Sequence, residues 1–228
     1  MPKHLQKEIE SLKKSILNLG ARVEAAVCDA TLAIQQRDGK LAQTIIDNDD
    51  IIDQQEVEIE EECLKTLALH QPVAIDLRFI ITVLKINSDL ERIGDLAVNV
   101  AERAVFLATQ PKPDISFDFV GMARTAQAML KKSLDALVNL SVEIAQEVCV
   151  SDDAVDAMNR KMYIKIQQAI LAHPEQIESL IHMLSASRHL ERIADHATNI
   201  AEDVIYMIEG QIVRHRTEKY NKNSPIPL

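Results

Sequence analysis

One segment of this chain occurs twice, one hundred positions apart. Residues 89–102 read DLERIGDLAVNVAE and residues 189–202 read HLERIADHATNIAE, with identical residues at nine of the fourteen positions. The identical positions are both polar and apolar, so the buried and the exposed faces of the segment are kept together. A repeat of this length predicts two copies of one structural unit of roughly 100 residues, too few copies for a solenoid.

Apolar residues recur at steps of three and four along almost the whole chain, the spacing of long packed helices. Breaks fall at Asp38-Gly39, before Pro72, in the PKPDIS stretch, and at His173-Pro174. The spacing predicts three helices on each side of PKPDIS, and Ser151 as a cap that begins the fifth helix. The predicted ranges are 40–70 for the second helix, 73–109 for the third, 117–147 for the fourth and 175–210 for the sixth.

We therefore predict an all-α, elongated protein made of two tandem three-helix bundles with six long helices. The predicted units are residues 1–110 and 117–212. Residues 111–116 would form a linker, and residues 213–228 a polar tail.

Composition excludes several classes of protein. The chain has 25 basic and 35 acidic residues, a net charge of −10, which repels nucleic acid. Apolar runs are far shorter than a membrane span, and no signal peptide is visible. The three cysteines are far apart within helical patterns, as buried thiols are in a reducing compartment. These features predict a cytoplasmic protein that neither binds nucleic acid nor inserts directly into a membrane.

Carboxylates line the second and third predicted helices of each half at steps of three and four. Acidic neighbours at i,i+4 repel each other, and a face that only solubilises a helix normally interleaves lysine. Carboxylate and amide oxygens suit Mg²⁺, Mn²⁺, Ca²⁺ or iron. The pattern predicts metal ions on acidic helix faces, with an ordinary solvated face as the alternative. The predicted ligands are Asp49, Asp53, Glu56, Glu60, Glu91, Asp95, Asn99 and Glu102 in the first half, and Asp152, Asp156, Glu191, Asp195, Asn199 and Glu202 in the second.

The two acidic faces of the first half are expected to lie side by side on the outside of the unit. On the third helix the acidic arc lies nearly opposite the apolar stripe from Leu90 to Leu107, and on the second helix it flanks a stripe of isoleucines. In the second half, Asn159 and Tyr163 replace Glu56 and Glu60. We expect the second site to hold fewer ions or to hold them more weakly.

The paired segments resemble the PhoU family of bacterial phosphate-signalling proteins. The residues that carry the resemblance are DDIID at 49–53, DLERIGDLAVNVAER at 89–103, DDAVD at 152–156 and HLERIADHATNIAED at 189–203. The resemblance implies a cytoplasmic all-α regulator, commonly a homodimer, with metal clusters on its acidic faces, for which zinc is a further candidate. It also implies a negative regulator of the phosphate-starvation response. The implied partners are a sensor histidine kinase and the ATPase subunit of the phosphate ABC transporter.

Three functions are compatible with these residues. The favoured one is a non-enzymatic signalling adaptor that binds metal on its surface. The second is a metal-dependent phosphohydrolase that uses the same carboxylates. An outward, shallow site excludes water poorly, which argues against strong catalysis. The third is a duplicated bundle that serves only as a scaffold.

Overall fold

The structure, a computed structural model, describes residues 3–113, 115 and 118–211, and within those ranges it contains helices and no strand. The predicted all-α fold is confirmed. The helices are α1 (Lys3–Gln36), α2 (Gly39–Asp47), α3 (Asp49–His70), α4 (Ala74–Thr109), α5 (Phe119–Asn139), α6 (Val142–Ala172) and α7 (Ile177–Glu209), with a 3₁₀ turn at Pro174–Gln176 before α7.

The second predicted helix is interrupted at Asn48, which separates α2 from α3. Asn48 has φ −101° and ψ 4°, outside helical values, and its N–H contacts the carbonyl oxygens of Ile45 and Ile46. The helix restarts at Asp49, so two acidic residues occupy the first turn of α3. No glycine or proline marks this break, which is why the apolar spacing alone predicted one helix over 40–70.

The turn between α5 and α6 corrects the predicted helix at 117–147 and the predicted cap at Ser151. The α5 helix ends at Asn139, and Leu140 adopts left-handed backbone angles with φ 50°. The Ser141 hydroxyl caps α6 by accepting the N–H of Ile144 at 3.2 Å. Ser151 lies inside α6, where its hydroxyl donates to the carbonyl of Glu147. Leucine rarely takes left-handed angles, so no residue type typical of a turn marks this position.

Helices α4 and α7 form an antiparallel pair at the centre of the molecule. Lys85 contacts Asp203 near one end of the pair, and Phe106 stacks on His182 near the other. Helices α1, α2 and α3 pack on α4, while α5 and α6 pack on α7. One large apolar core therefore runs through both halves, and it includes Leu90 and its counterpart Leu190. A small separate cluster of Met162, Ile166 and Leu180 lies between α6 and α7.

Within the described ranges, no helix is both long enough and apolar enough to span a bilayer. Residues 114 and 116 of the predicted linker lie outside the described residues, as does residue 117 at the start of the second predicted unit. The predicted tail at 213–228 lies outside them as well.

Candidate metal centre

The structure brings carboxylates of α3 and α4 together into a first acidic cluster, which consists of Asp49, Asp53, Glu56, Glu91 and Asp95. Asp53 and Asp95 both raise the pKa of Asp49, and Asp53 and Glu56 both raise the pKa of Glu91. Side chains of both helices therefore share one electrostatic environment. The acidic faces lie side by side, and several of their members are half-buried rather than fully solvated.

Asp49 is the most perturbed carboxyl group of this cluster. Burial, and then the charges of Asp53 and Asp95, raise its pKa to about 6. A helix N-terminus normally stabilises a carboxylate and so lowers its pKa. At the first position of α3, burial and the neighbouring charges outweigh that effect. The Oδ1 atom of Asp49 is buried and has no hydrogen-bond partner within residues 3–113, 115 and 118–211. A buried acceptor of this kind is costly unless a donor or a cation reaches it.

Arg92 supplies a counter-charge to the first acidic cluster. Its Nε lies 3.4 Å from Glu91 Oε2, and its Nη1 lies 3.3 Å from Asp95 Oδ2. Burial and neighbouring carboxylates raise the pKa of Glu56 and of Glu91. The Arg92 guanidinium makes both shifts smaller. More than half of the Arg92 side chain is exposed, so these ion pairs contribute little to stability and can open at small cost.

A second acidic cluster, which consists of Asp152, Asp156, Glu191 and Asp195, lies between α6 and α7. Burial, and then Asp195 and Asp156, raise the pKa of Asp152 to about 6. Burial, and then Glu191 and Asp156, raise the pKa of Asp195. Among the residues that the structure describes, Asp152 Oδ1 is buried and meets no hydrogen-bond donor within bonding geometry, like Asp49 Oδ1 at the corresponding position of the first repeat. The Thr198 side chain nevertheless lies near enough to Asp152 to oppose the rise in its pKa.

Three further predicted ligands of the first half differ in their placement. Glu60 is exposed and close enough to Glu56 to raise its pKa. The side-chain amide of Asn99 donates to the backbone carbonyl of Asp95 at 2.7 Å. This bond uses the amide nitrogen and leaves the side-chain oxygen, the atom that could bind a metal, available. Glu102 instead contacts Arg103 at 2.7 Å, on the exposed surface.

The two remaining predicted ligands of the second half lie beside other groups. The Asn199 amide points toward Asp89 of α4, with Nδ2 3.4 Å from Asp89 Oδ1. Glu202 is buried near Cys149, whose pKa rises to about 12, mainly through burial and then through the Glu202 charge. The metal role predicted for these two residues stays a prediction.

The donor set fits a hard cation, although the side chains do not converge on one point. In the part of the chain that the structure describes, no three His, Cys, Asp or Glu side chains are placed to hold one metal ion. Both clusters nevertheless offer carboxylate oxygens, which hard cations prefer. Each also has a buried aspartate oxygen, on Asp49 and on Asp152, that forms no hydrogen bond with any described residue. A cation would satisfy these oxygens and reduce the repulsion that raises both pKa values.

A polar contact between the halves was not predicted from the sequence. His196 Nδ1 lies 2.8 Å from Asp89 Oδ1, and both side chains are largely buried between α4 and α7. His196 also opposes the rise in the pKa of its neighbour Asp195, which burial and then Glu191 and Asp156 cause. Neither residue is part of the repeated pattern, because Asp89 corresponds to His189 and His196 corresponds to Leu96. Only the antiparallel packing of the two central helices reveals the pair.

Comparison with known protein families identifies the repeated unit. The PhoU domain model matches residues 16–104 and again residues 119–204, once in each half of the chain. The chain belongs to the PhoU family. The resemblance inferred from the repeated segments is thereby confirmed, as is the tandem repeat.

Relatives and solved structures of PhoU proteins match nearly the whole chain. A protein of Aquifex aeolicus named phosphate-specific transport system accessory protein PhoU homolog is 39% identical over 93% of this chain and 96% of its own length. The crystal structure of PhoU from Pseudomonas aeruginosa is 37% identical, with a TM-score of 0.87 over 90% of this chain and 99% of that one. The phosphate transport system regulatory protein PhoU from Streptococcus pneumoniae is 30% identical, with a TM-score of 0.82 over 92% of this chain and 99% of that one.

Proposed function

We propose that this PhoU-family protein is a non-enzymatic, cytoplasmic regulator of phosphate uptake that restrains the phosphate-starvation response. The observation that carries the proposal is similarity over nearly the full length to proteins named for phosphate transport. The Aquifex relative is named an accessory protein of a phosphate-specific transport system, and the Streptococcus structure is titled a regulatory protein. Identity of 39% across almost all of both chains supports a related role.

The proposed partners are a sensor histidine kinase and the ATPase subunit of a phosphate ABC transporter, engaged by a homodimer. The net charge of −10 favours basic protein surfaces over nucleic acid. We expect complexes that weaken as salt concentration rises, and no appreciable binding to duplex DNA at physiological salt. A tight, salt-resistant complex with DNA would contradict this assignment.

Metal ions are proposed to bind the two acidic clusters and to link the helices that carry them. In the first repeat, Asp49 and Asp53 of α3 would share ions with Glu91 and Asp95 of α4. In the second repeat, Asp152 of α6 would share an ion with Asp195 of α7. Bound metal would neutralise charge and tie neighbouring helices together. Small rotations of the carboxylates would be needed to complete each site.

The regulatory role is tested by deletion and complementation. We expect deletion of this protein to switch on a phosphate-starvation reporter in phosphate-replete medium, and the wild-type gene to restore repression. Reporter output and uptake of radiolabelled phosphate are measured together. An unchanged reporter and unchanged uptake in the deletion strain would contradict the regulatory assignment.

A metal-dependent phosphohydrolase is the alternative, and the pKa of Asp49 is the observation that favours it. A carboxyl group with a pKa of about 6 is better matched to proton transfer near neutral pH than an ordinary aspartate. Release of p-nitrophenol from p-nitrophenyl phosphate with Mn²⁺ or Mg²⁺ distinguishes the two functions. Our proposal expects no turnover above that of an Asp95→Asn variant, whereas metal-dependent turnover abolished by that change would favour the enzyme.

A further inference from the structure

A small groove on the second repeat has a lining rich in hydrogen-bond donors. It lies between α6 and α7, about one helical turn beyond the second acidic cluster, and has a volume of about 260 Å³. We call it the arginine groove, and its lining residues are Asn159, Arg160, Tyr163, Leu184 and Arg188.

As a set, the corresponding positions of the first repeat carry a net charge of the opposite sign. The shifts of 103 positions between α3 and α6, and of 100 between α4 and α7, relate each lining residue to a first-repeat residue. Two glutamates give the first repeat a formal charge of −2 at these positions, and two arginines give the second repeat +2. The corresponding first-repeat residues are Glu56, Val57, Glu60, Leu84 and Ser88.

A partly buried hydrogen bond holds Asn159 in the groove. The hydroxyl of Ser187, a fully buried residue, donates to Asn159 Oδ1 at 2.8 Å, which leaves the amide nitrogen of Asn159 as a donor. The corresponding residues of the first repeat, Asn87 and Glu56, are also joined by a hydrogen bond. There the Asn87 amide donates to Glu56 Oε1 at 3.2 Å, and a carboxylate is held at this point instead of an amide.

Neither arginine is firmly occupied by a protein carboxylate. Arg188 is exposed and forms no ion pair with any residue that the structure describes. Arg160 contacts Asp156 through Nη1 and Oδ2 at 3.3 Å, and about two thirds of the Arg160 side chain is exposed. A contact of this kind contributes little to stability, so Arg160 can exchange it for a better acceptor.

We propose that the arginine groove binds a tetrahedral oxyanion of the phosphate type. Two guanidinium groups, an amide and the phenol of Tyr163 all offer donors, and guanidinium pairs readily with the oxygen atoms of phosphate. The volume accommodates inorganic phosphate or the phosphoryl end of a small monoester. None of the five lining residues belongs to an acidic cluster, although Arg160 contacts Asp156 of the second one. The proposal requires neither bound metal nor the proposed regulatory role.

The proposal is tested by isothermal titration calorimetry of the full chain in metal-free buffer at constant ionic strength. The probes are inorganic phosphate, glycerol 3-phosphate and sulfate, with chloride as the reference anion. We expect saturable binding of phosphate-type anions with a stoichiometry of one. Tighter binding of phosphate would identify the free ion as the ligand, and tighter binding of glycerol 3-phosphate would identify a monoester.

Two variants locate the site. Arg188→Gln removes a charged donor and should weaken binding by about tenfold or more. Asn159→Asp keeps an oxygen opposite Ser187 but adds a negative charge to the groove, so it should abolish binding. Arg22→Gln on α1 removes the same charge from an exposed position of the first repeat and should leave the affinity unchanged. Circular dichroism and thermal melting check that each variant is folded.

The proposal fails if no oxyanion binds at millimolar concentration. It also fails if Arg188→Gln and Asn159→Asp bind phosphate as the wild type does, or if Arg22→Gln weakens binding as much as they do. Since the titration is made without metal, these outcomes do not depend on whether the acidic clusters bind ions.

Discussion

The two repeats share an inner set of carboxylates and differ one helical turn away from it. Asp49 and Asp152 occupy corresponding positions. Both have pKa values of about 6 and a buried oxygen without a hydrogen bond in the described part of the chain. Farther along the same helices, the first repeat carries Glu56 and the second carries Asn159. The duplicated packing thus keeps the half-buried aspartates at corresponding places, while positions one helical turn away differ in charge between the repeats.

The two repeats also differ at Asn48, where the first repeat has a helix break and the second has none. Ser151 occupies the corresponding position in α6, and there the helix continues, with the serine hydroxyl bonded to a carbonyl one turn earlier. The two aspartates that follow these residues still reach similar environments. The acidic clusters therefore depend on packing between helices more than on an uninterrupted helix.

The largest expected effect concerns metal binding by the two repeats. With saturating Mn²⁺, at a hundredfold excess over the Kd, a single site stabilises the folded protein by about 2.7 kcal/mol. Asp95→Asn should lose much of this gain. Asp195→Asn should lose less, because Glu56 and Glu60 enrich only the first repeat in charge. Thermal melting of the three proteins, each in chelator and in metal, measures both losses.

The chelator series provides the control for this comparison. Without metal, each substitution removes one charge from a repulsive cluster, so stability should be unchanged or slightly higher. Equal metal-induced shifts in melting temperature for all three proteins would mean that neither aspartate holds an ion. A larger loss for Asp195→Asn would reverse the proposed ranking of the repeats.

The next largest effect is a difference in stability between variants at the two ends of the α4–α7 contact. Lys85 Nζ lies 3.1 Å from Asp203 Oδ1, and the Asp203 side chain is only 2% exposed. The corresponding positions at the other end are Ser185 and Arg103, where Arg103 contacts the exposed Glu102. Lys85→Met would weaken the compensation of a buried carboxylate and should lower the free energy of unfolding by about 2 kcal/mol.

Urea unfolding of Lys85→Met and of Arg103→Met tests this difference. Arg103→Met removes an ion pair with the exposed Glu102, so it should lower the free energy of unfolding by less than about 1 kcal/mol. Equal losses for the two variants would show that the ends of the central helix pair contribute alike.

Sequence periodicity predicted much of this architecture because burial follows it directly. Leu12, Ile16 and Leu19 form the seam expected of α1, and all three are fully buried. The turn at Leu140 was missed because a left-handed leucine has no compositional signal. The cluster members were predicted because acidic spacing places them on one face of each helix. The contact of Asp89 with His196 was not predicted, because it depends on how the two repeats pack together.

The pH dependence of stability should be similar in the two repeats. The pKa of Asp49 and of Asp152 rises from 3.8 to about 6 on folding, so folding favours the protonated forms. This stabilisation is complete below the unfolded pKa and is lost as pH rises through about 6. In metal-free buffer at neutral pH, Asp49→Asn and Asp152→Asn should each have a higher free energy of unfolding than the wild type. The increase should be no more than about 1 kcal/mol, because solvent screens these partly exposed charges.

Urea unfolding at intervals between about pH 4 and pH 7 follows this difference. The advantage of each variant should disappear toward the acidic end, where the wild-type aspartates are protonated. An advantage that is constant with pH would instead indicate an effect of the asparagine unrelated to charge.

The smallest expected effect concerns the close approach of α3 and α4. A Cβ atom on Gly94 would lie 3.2 Å from Ile52 Cγ2, a tight contact. The corresponding residues of the second repeat are Ala194 and Val155, both fully buried, so one carbon has moved from one side of the contact to the other. The two repeats therefore fill this space with similar total volume.

A double-mutant cycle tests whether these two pairs are interchangeable. Ile52→Val alone should cost about 1 kcal/mol, because it leaves a small cavity. Gly94→Ala alone gains up to about 1 kcal/mol of helix propensity, offset by its contact with Ile52. Together the changes recreate the second-repeat pair, and we expect them to couple favourably by about 0.5 kcal/mol. Strict additivity in urea unfolding would mean that the two repeats reach the same helix spacing by unrelated packing.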